Sequence, residues 1–142
     1  MLRPFLLIGI GGSGGKTLRI VRHETNRGIA EAYNTIIREG RGELIALLGD
    51  DDVCEPDRIA RQVAVFDRHP DTGVAHGAAS IIDGQGVQRG TWPSQDRARH
   101  ELLRHLVREH NTLVDPSRMV HRRVYEAVGG YSSDFRLAQD FD

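Results

Sequence analysis

Apolar positions fall in short blocks, separated by glycine, proline and acidic residues. Phe5 to Ile10 is an unbroken apolar run that stops at glycines, the pattern of a buried strand, and Gly11 to Gly15 then read as a loop. From Thr17 to His23 apolar and polar residues alternate. This favours a strand, although a helix continuing out of the loop also fits. Asn26-Arg27-Gly28 is a turn signal, and Ile29 to Arg38 reads as a helix with Ile29, Ala32, Tyr33, Ile36 and Ile37 on one face, closed by Gly40. Glu43 to Leu48 is the clearest strand and ends abruptly in Gly49-Asp50-Asp51-Asp52. Pro56 suits the first turn of a helix, and Glu55 and Asp57 favour its positive end; the helix runs to Arg68 with Ile59, Val63 and Phe66 inward. Gly73 to Ala79 and Ser80 to Asp83 read as two strands or one bent strand, followed by a tight turn at Gly84-Gln85-Gly86. Trp92 and Pro93 fall in a loop before an amphipathic helix, Arg97 to His110, built on Leu102, Leu103, Leu106 and Val107. A short strand at Ser117 to His121 and a helix at Arg122 to Val128, closed by Gly129-Gly130, precede a loop from Asp134 to Asp142.

Strands that alternate with helices point to an α/β sandwich with a mainly parallel sheet. Ligands in such sheets bind beyond the carboxyl ends of the strands, where both the glycine loop and the three aspartates fall. With 142 residues, a single domain over 1–142 is the default. The 39% hydrophobic and 27% charged residues are those of a folded, soluble chain. A net charge of −1 argues against nucleic acid as a partner. The lone Cys54 excludes an intrachain disulfide and a cysteine-rich zinc site. No apolar run approaches the roughly 20 residues that span a bilayer, and no cleavable leader is evident, so a cytoplasmic location is expected. The seven histidines show no paired metal-ligand spacing, and His76 and His121 are expected in structural roles.

Three adjacent carboxylates repel one another and need a cation, basic neighbours or full solvation. Residues 49–57 carry −5 with no basic residue, whereas the remaining residues sum to +19 − 15 = +4. A hard divalent ion, magnesium or manganese, is the natural partner; a solvated acidic turn is the other reading.

Asn26-Arg27-Gly28-Ile29-Ala30, Asn34, the run Gly42 to Asp52, Pro56, Gln62, Asp83, Gly86, Arg122, Gly129-Gly130-Tyr131 and Gln139-Asp140-Phe141-Asp142 follow one another along the chain. Together these motifs resemble family-two glycosyltransferases of the GT-A fold. The resemblance covers residues 24–142, with 1–23 as an atypical glycine-rich segment. It implies a GT-A-like three-layer sandwich. It also implies transfer of a sugar from a nucleotide-diphosphate donor to a glycan, lipid-linked or other hydroxyl acceptor, with inversion, in cell-envelope polysaccharide synthesis. Peripheral membrane association is compatible with it. By the same resemblance Asp51 and Asp52 hold a divalent metal, manganese or magnesium. Asp50, Asp51, Asn26 and Gly28 contact the donor, and Asp140 is the general base that takes the acceptor proton. Gly49 stands where the family commonly has its first Asp, and Gln139 where it commonly has Glu. The family's Asp-Gly-Ser aligns with Gly11-Gly12-Ser13, so the nucleotide half looks compressed and the core incomplete at both ends.

Two alternatives stay open. One is a catalytically incomplete nucleotide-sugar-binding fragment. The other is a nucleotide hydrolase using residues 9–17, where Gly9, Gly11 and Gly14 meet G-x-G-x-x-G. Gly15-Lys16-Thr17 misses the P-loop spacing by one residue, and the segment resembles the opening of bacterial tubulin-like GTPases. Arg122 and Arg123 are candidates to neutralise a diphosphate, or else a solvated helix start.

Overall fold

The computed structural model of the chain describes residues 5–9, 17–49, 51–108 and 113–134. Their order is β1 (Phe5–Gly9), β2 (Thr17–Val21), α1 (Gly28–Glu39), β3 (Leu44–Ala46), α2 (Arg58–Arg68), β4 (Val74–Ala75), β5 (Ala79–Ile82), β6 (Gln88–Trp92), α3 (Arg99–Arg108), a 3₁₀ turn at Asp115–Ser117, β7 (Met119–His121) and α4 (Arg122–Val128). The α/β alternation matches the hydrophobic pattern. β1 and β2 form an antiparallel pair, β5 and β6 another, and a three-stranded sheet has the order β3-β7-β4. The chain divides into two units, one drawn from Met1–Ile45, His69–Gly73 and Val120–Asp142, the other from Ala46–Arg68 and Val74–Met119.

In the first unit, β2 pairs back on β1 from Gly9↔Thr17 to Phe5↔Val21. The alternation in Thr17–Val21 therefore makes a strand. A phosphate loop of the P-loop or dinucleotide kind runs from a strand into a helix N-terminus, whose amides meet the anion. The element that follows Lys16 is instead β2, which removes the feature the nucleotide-hydrolase alternative requires.

Helix α1 begins at Gly28, where the Asn26 Oδ1 accepts from the Gly28 N–H at 2.9 Å. Its buried residues are Ala30, Ala32, Thr35 and Ile37, and Ile29 is 41% exposed. The expected face is thus displaced. Small alanines pack closely, and Thr35 is admitted because its hydroxyl donates to the Glu31 carbonyl at 2.8 Å. The last carbonyls of a helix have no partner within it. Here Arg122 supplies one: its guanidinium donates to the carbonyls of Ile37 (2.9 Å), Gly40 (2.5 Å) and Gly42 (2.9 Å). Arg123 donates to the carbonyls of Pro70 (2.9 Å) and Thr72 (3.3 Å). Both arginines stand at the start of α4 and bind backbone carbonyls, Arg123 with an exposed side chain, which agrees with the helix-start reading. Helix α4 is capped at its start by His121, whose Nδ1 accepts from the Arg123 N–H at 3.3 Å, and at its end by Gly129 at φ +82°.

In the second unit, α2 buries Gln62 and Phe66, with Ile59 and Val63 only half-buried. β4 and β5 are separate strands. β6 was not foreseen, because Gln88, Arg89 and Gly90 carry no apolar signal of their own, and it takes in Trp92, which was expected in a loop. The β5–β6 hairpin is largely exposed, Trp92 included, and its turn is held by Asp83. The Asp83 carboxylate accepts from the Val87 N–H (3.0 Å), the Arg89 guanidinium (2.7 Å) and the Gln85 N–H (2.9 Å), which together hold its pKa below the ordinary carboxylate value. The expected apolar face of α3 is covered only in part: Leu102 and Leu106 are half-buried, whereas Leu103 is 52% and Val107 84% exposed.

His76 is half-buried, with Ser94 Oγ 3.1 Å from its Nδ1, and loss of hydration lowers its pKa, partly offset by Asp96. The sign follows from proton counting. Below an ordinary histidine pKa of about 6.5 the unfolded chain takes up a proton that folded His76 does not, so stability falls as pH drops through that value. It stops falling once the pH is below the folded pKa. Denaturant midpoints between pH 7.5 and 5.5 should therefore decline in the native chain, and the decline should be smaller in His76→Gln.

Candidate functional site

The site is the turn that follows β3 in the second unit. Leu47 is buried and Leu48 emerges, so the strand delivers the chain to the surface at Gly49. There it reverses: the Asp52 N–H points at the Gly49 carbonyl (3.4 Å), and the Asp52 Oδ2 accepts from the Gly49 N–H (3.2 Å). The side chains of Asp51 and Asp52 are exposed. They converge on one point: a Cβ on Gly49 would lie 2.5 Å from Asp52 Oδ2 and 3.0 Å from Asp51 Oδ1. The absence of a side chain at residue 49 is what lets the two carboxylates close over the backbone.

Asp51 and Asp52 are the two described carboxylates of this turn that could hold a hard divalent cation. Magnesium-type ions are commonly held by one or two carboxylates, with waters and substrate phosphates completing the shell. Among the described residues no group of three or more His, Cys, Asp or Glu is placed to hold a metal. A side chain at residue 49 would meet the carboxylate tips of Asp52 and Asp51 in this conformation. Gly49→Ala should consequently spread both carboxylates and weaken manganese binding about tenfold, the effect of roughly one lost charged contact. Calorimetry on native and variant chains checks this.

The other expected site residues are placed as follows. Asn26 and Gly28 belong to the first unit, both exposed. Asn26 turns the chain into α1 through its bond to Gly28, which sits at φ +81°. Asp50, Asp140 and the loop residues 10–16, with Lys16, lie outside the described residues. In the first unit the Asn34 amide grips Tyr131 at both backbone groups, accepting from its N–H and donating to its carbonyl, each at 2.9 Å. The Tyr131 ring stacks obliquely on Tyr33 (5.3 Å) and Tyr125 (5.9 Å).

Sequence reasoning missed Arg58. Its Nη2 donates to the carbonyls of Leu47 (3.0 Å) and Arg118 (3.1 Å), and its Nε donates to Gln62 Oε1 (3.1 Å). Buried Gln62 in turn donates to the carbonyls of Ala75 (3.2 Å) and Ser117 (2.7 Å). The available signal was a polar residue on the apolar face of α2, one turn after the first cation that follows the acidic run.

Comparison with known proteins gives a consistent family. The chain is 30% identical over 125 residues to the uncharacterised protein y4gI of Sinorhizobium fredii, covering 88% of this chain and 13% of that one. It is 25% identical over 125 residues to an uncharacterised glycosyltransferase of Haemophilus influenzae, covering 87% and 42%. It is 29% identical over 72 residues to the amylovoran biosynthesis glycosyltransferase AmsE of Erwinia amylovora, covering 51% and 27%. The chain thus spans less than half the length of each of these relatives. Among the described residues no helix is long and apolar enough to cross a membrane. The sequence profile of Glycosyl transferase family 2 matches residues 12–129, so the α/β chain with its acidic turn after β3 belongs to that family and has its GT-A fold.

Proposed function

We propose that the chain transfers a sugar from a nucleoside-diphosphate sugar to an acceptor hydroxyl, with inversion at the anomeric carbon and dependence on a divalent metal. The observation that carries this reading is the convergence of Asp51 and Asp52 over Gly49 at the carboxyl end of β3, in a chain of this family. The three-layer, mainly parallel sandwich is part of the same reading.

Asp51 and Asp52 would hold manganese or magnesium. Such an ion, when bound, stabilises the negative charge that develops on the departing nucleoside diphosphate. Asp50, Asp51, Asn26 and Gly28 are assigned to the donor. Asp140 is assigned as base: its carboxylate takes the acceptor hydroxyl proton while the acceptor oxygen bonds to the anomeric carbon. The electron pair of the broken bond leaves with the diphosphate, and the opposite approach of nucleophile and leaving group inverts the centre. The acceptor is a glycan, a lipid-linked or another hydroxyl. The name of the Erwinia relative supports a role in polysaccharide synthesis.

The test is to incubate the protein with UDP- and other nucleotide sugars, manganese and a panel of hydroxyl acceptors. Nucleoside diphosphate release is followed, and the anomer formed is read by proton NMR. The reading expects release that needs both manganese and acceptor, with an inverted product. A retained anomer would overturn the inverting mechanism, and release unaffected by EDTA would overturn the metal role.

A further inference from the structure

We propose that Arg58 is a positioning residue for the acidic loop, clasping the two ends of the segment that presents Asp51 and Asp52. The inference rests on the reading of those aspartates as the donor-side metal site. Arg58 stands at the start of α2, and its side chain returns to the Leu47 carbonyl eleven residues earlier, so residues 48–57 form a loop closed by its own final neighbour. The same nitrogen bonds the Arg118 carbonyl, which also faces the Leu47 N–H at 3.4 Å. Both peptide groups of Leu47 are thereby tied. Because the peptide unit is planar, a fixed Leu47 carbonyl fixes the Leu47–Leu48 peptide, the last one before the residue that leads into Gly49.

The clasp is itself held in place. Gln62 lies one helical turn after Arg58, is 9% exposed, and receives the Arg58 Nε–H at its Oε1 while its own amide is bound to the carbonyls of Ala75 and Ser117. An arginine whose planar fork is oriented by a buried amide offers its remaining donors in one direction only. The closed segment carries −5 and contains no basic residue, and Arg58, the first cation after it, ties its far end back to Leu47. Arg58 does not touch the reacting atoms in this account; it acts through the loop.

The test uses the intact chain and its sole cysteine, Cys54, which is half-buried inside the clasped segment. Alkylation of Cys54 by iodoacetamide reports loop opening, and manganese affinity in the presence of UDP reports the site. Circular dichroism confirms that each variant is folded. Arg58→Ala should raise the alkylation rate and weaken manganese affinity by about tenfold each, since hydrogen bonds from a charged donor are lost. Arg58→Lys keeps the positive charge but loses the planar fork and the Nε–H to Gln62, so both measures should fall between those of the native and Arg58→Ala chains. Native values for folded Arg58→Ala would overturn the proposal. Loss of fold in Arg58→Ala, with Arg58→Lys no better than an unfolded chain, would also overturn it and make Arg58 a folding residue. If the native chain binds no manganese, the metal reading fails, and the Cys54 rates alone decide for or against the clasp.

Discussion

Asp51→Asn should lower sugar transfer by roughly two to three orders of magnitude, the loss typical of removing one preorganised electrostatic contact to a developing charge. Asparagine keeps the size of the side chain and one oxygen, so the change isolates the charge. Asp51 is the cleaner target of the pair. Asp52 also accepts from the Gly49 N–H, and replacing it disturbs the turn as well as the site. The Asp51 carboxylate is exposed, and the cradle over Gly49 keeps its second wall in Asp52. The melting temperature should accordingly be close to that of the native chain. Initial rates across a manganese series check the prediction. The defect should shrink as manganese is raised, because the variant loses affinity for the ion.

Gly130→Ala should cost about 3 kcal/mol of stability in the first unit, from two sources that add. Gly130 lies at φ +86°, where an L-residue is disfavoured by roughly 1–2 kcal/mol. Its new Cβ would also stand 2.6 Å from Asn34 Oδ1. Asn34 cannot yield without releasing the Tyr131 backbone, which costs about 1 kcal/mol for each of the two hydrogen bonds. Gly129→Ala provides the comparison. Gly129 has nearly the same φ, +82°, but nothing within 4 Å of its Cβ position, so only the backbone cost applies. In an Asn34→Ala background the steric part of the Gly130→Ala penalty should vanish, a coupling that a double-mutant cycle measures by denaturant unfolding.

The pattern of apolar residues identified most elements because each helix and strand has a distinct period. It failed where burial is not carried by large aliphatics. The buried face of α1 runs through Ala30, Ala32 and Thr35, and that of α2 through Gln62. In both, a polar group is buried because a backbone carbonyl satisfies it: for Thr35 the Glu31 carbonyl of the same helix, for Gln62 carbonyls distant in sequence. The strand β6 was hidden for the opposite reason: it is exposed on most of its length and needs no apolar alternation. Leu103 and Val107 on α3 show that amphipathic spacing predicts a helix without guaranteeing that its apolar face is covered. The acidic turn was legible, since a strand that ends in Gly-Asp-Asp-Asp states its own chemistry. What the sequence could not express was the convergence of Asp51 and Asp52 over Gly49, or the return of Arg58 to Leu47. Both depend on the turn's geometry.

The central claim is that this acidic turn binds a nucleoside diphosphate through a divalent cation. Calorimetric titration of the native chain with UDP, and with other nucleoside diphosphates in turn, in manganese and again in EDTA, tests it most directly. The account predicts saturable one-site binding in manganese that is lost in EDTA and in Asp51→Asn. Binding that survives both, or nucleotide binding abolished by Lys16→Ala and untouched by Asp51→Asn, would contradict it.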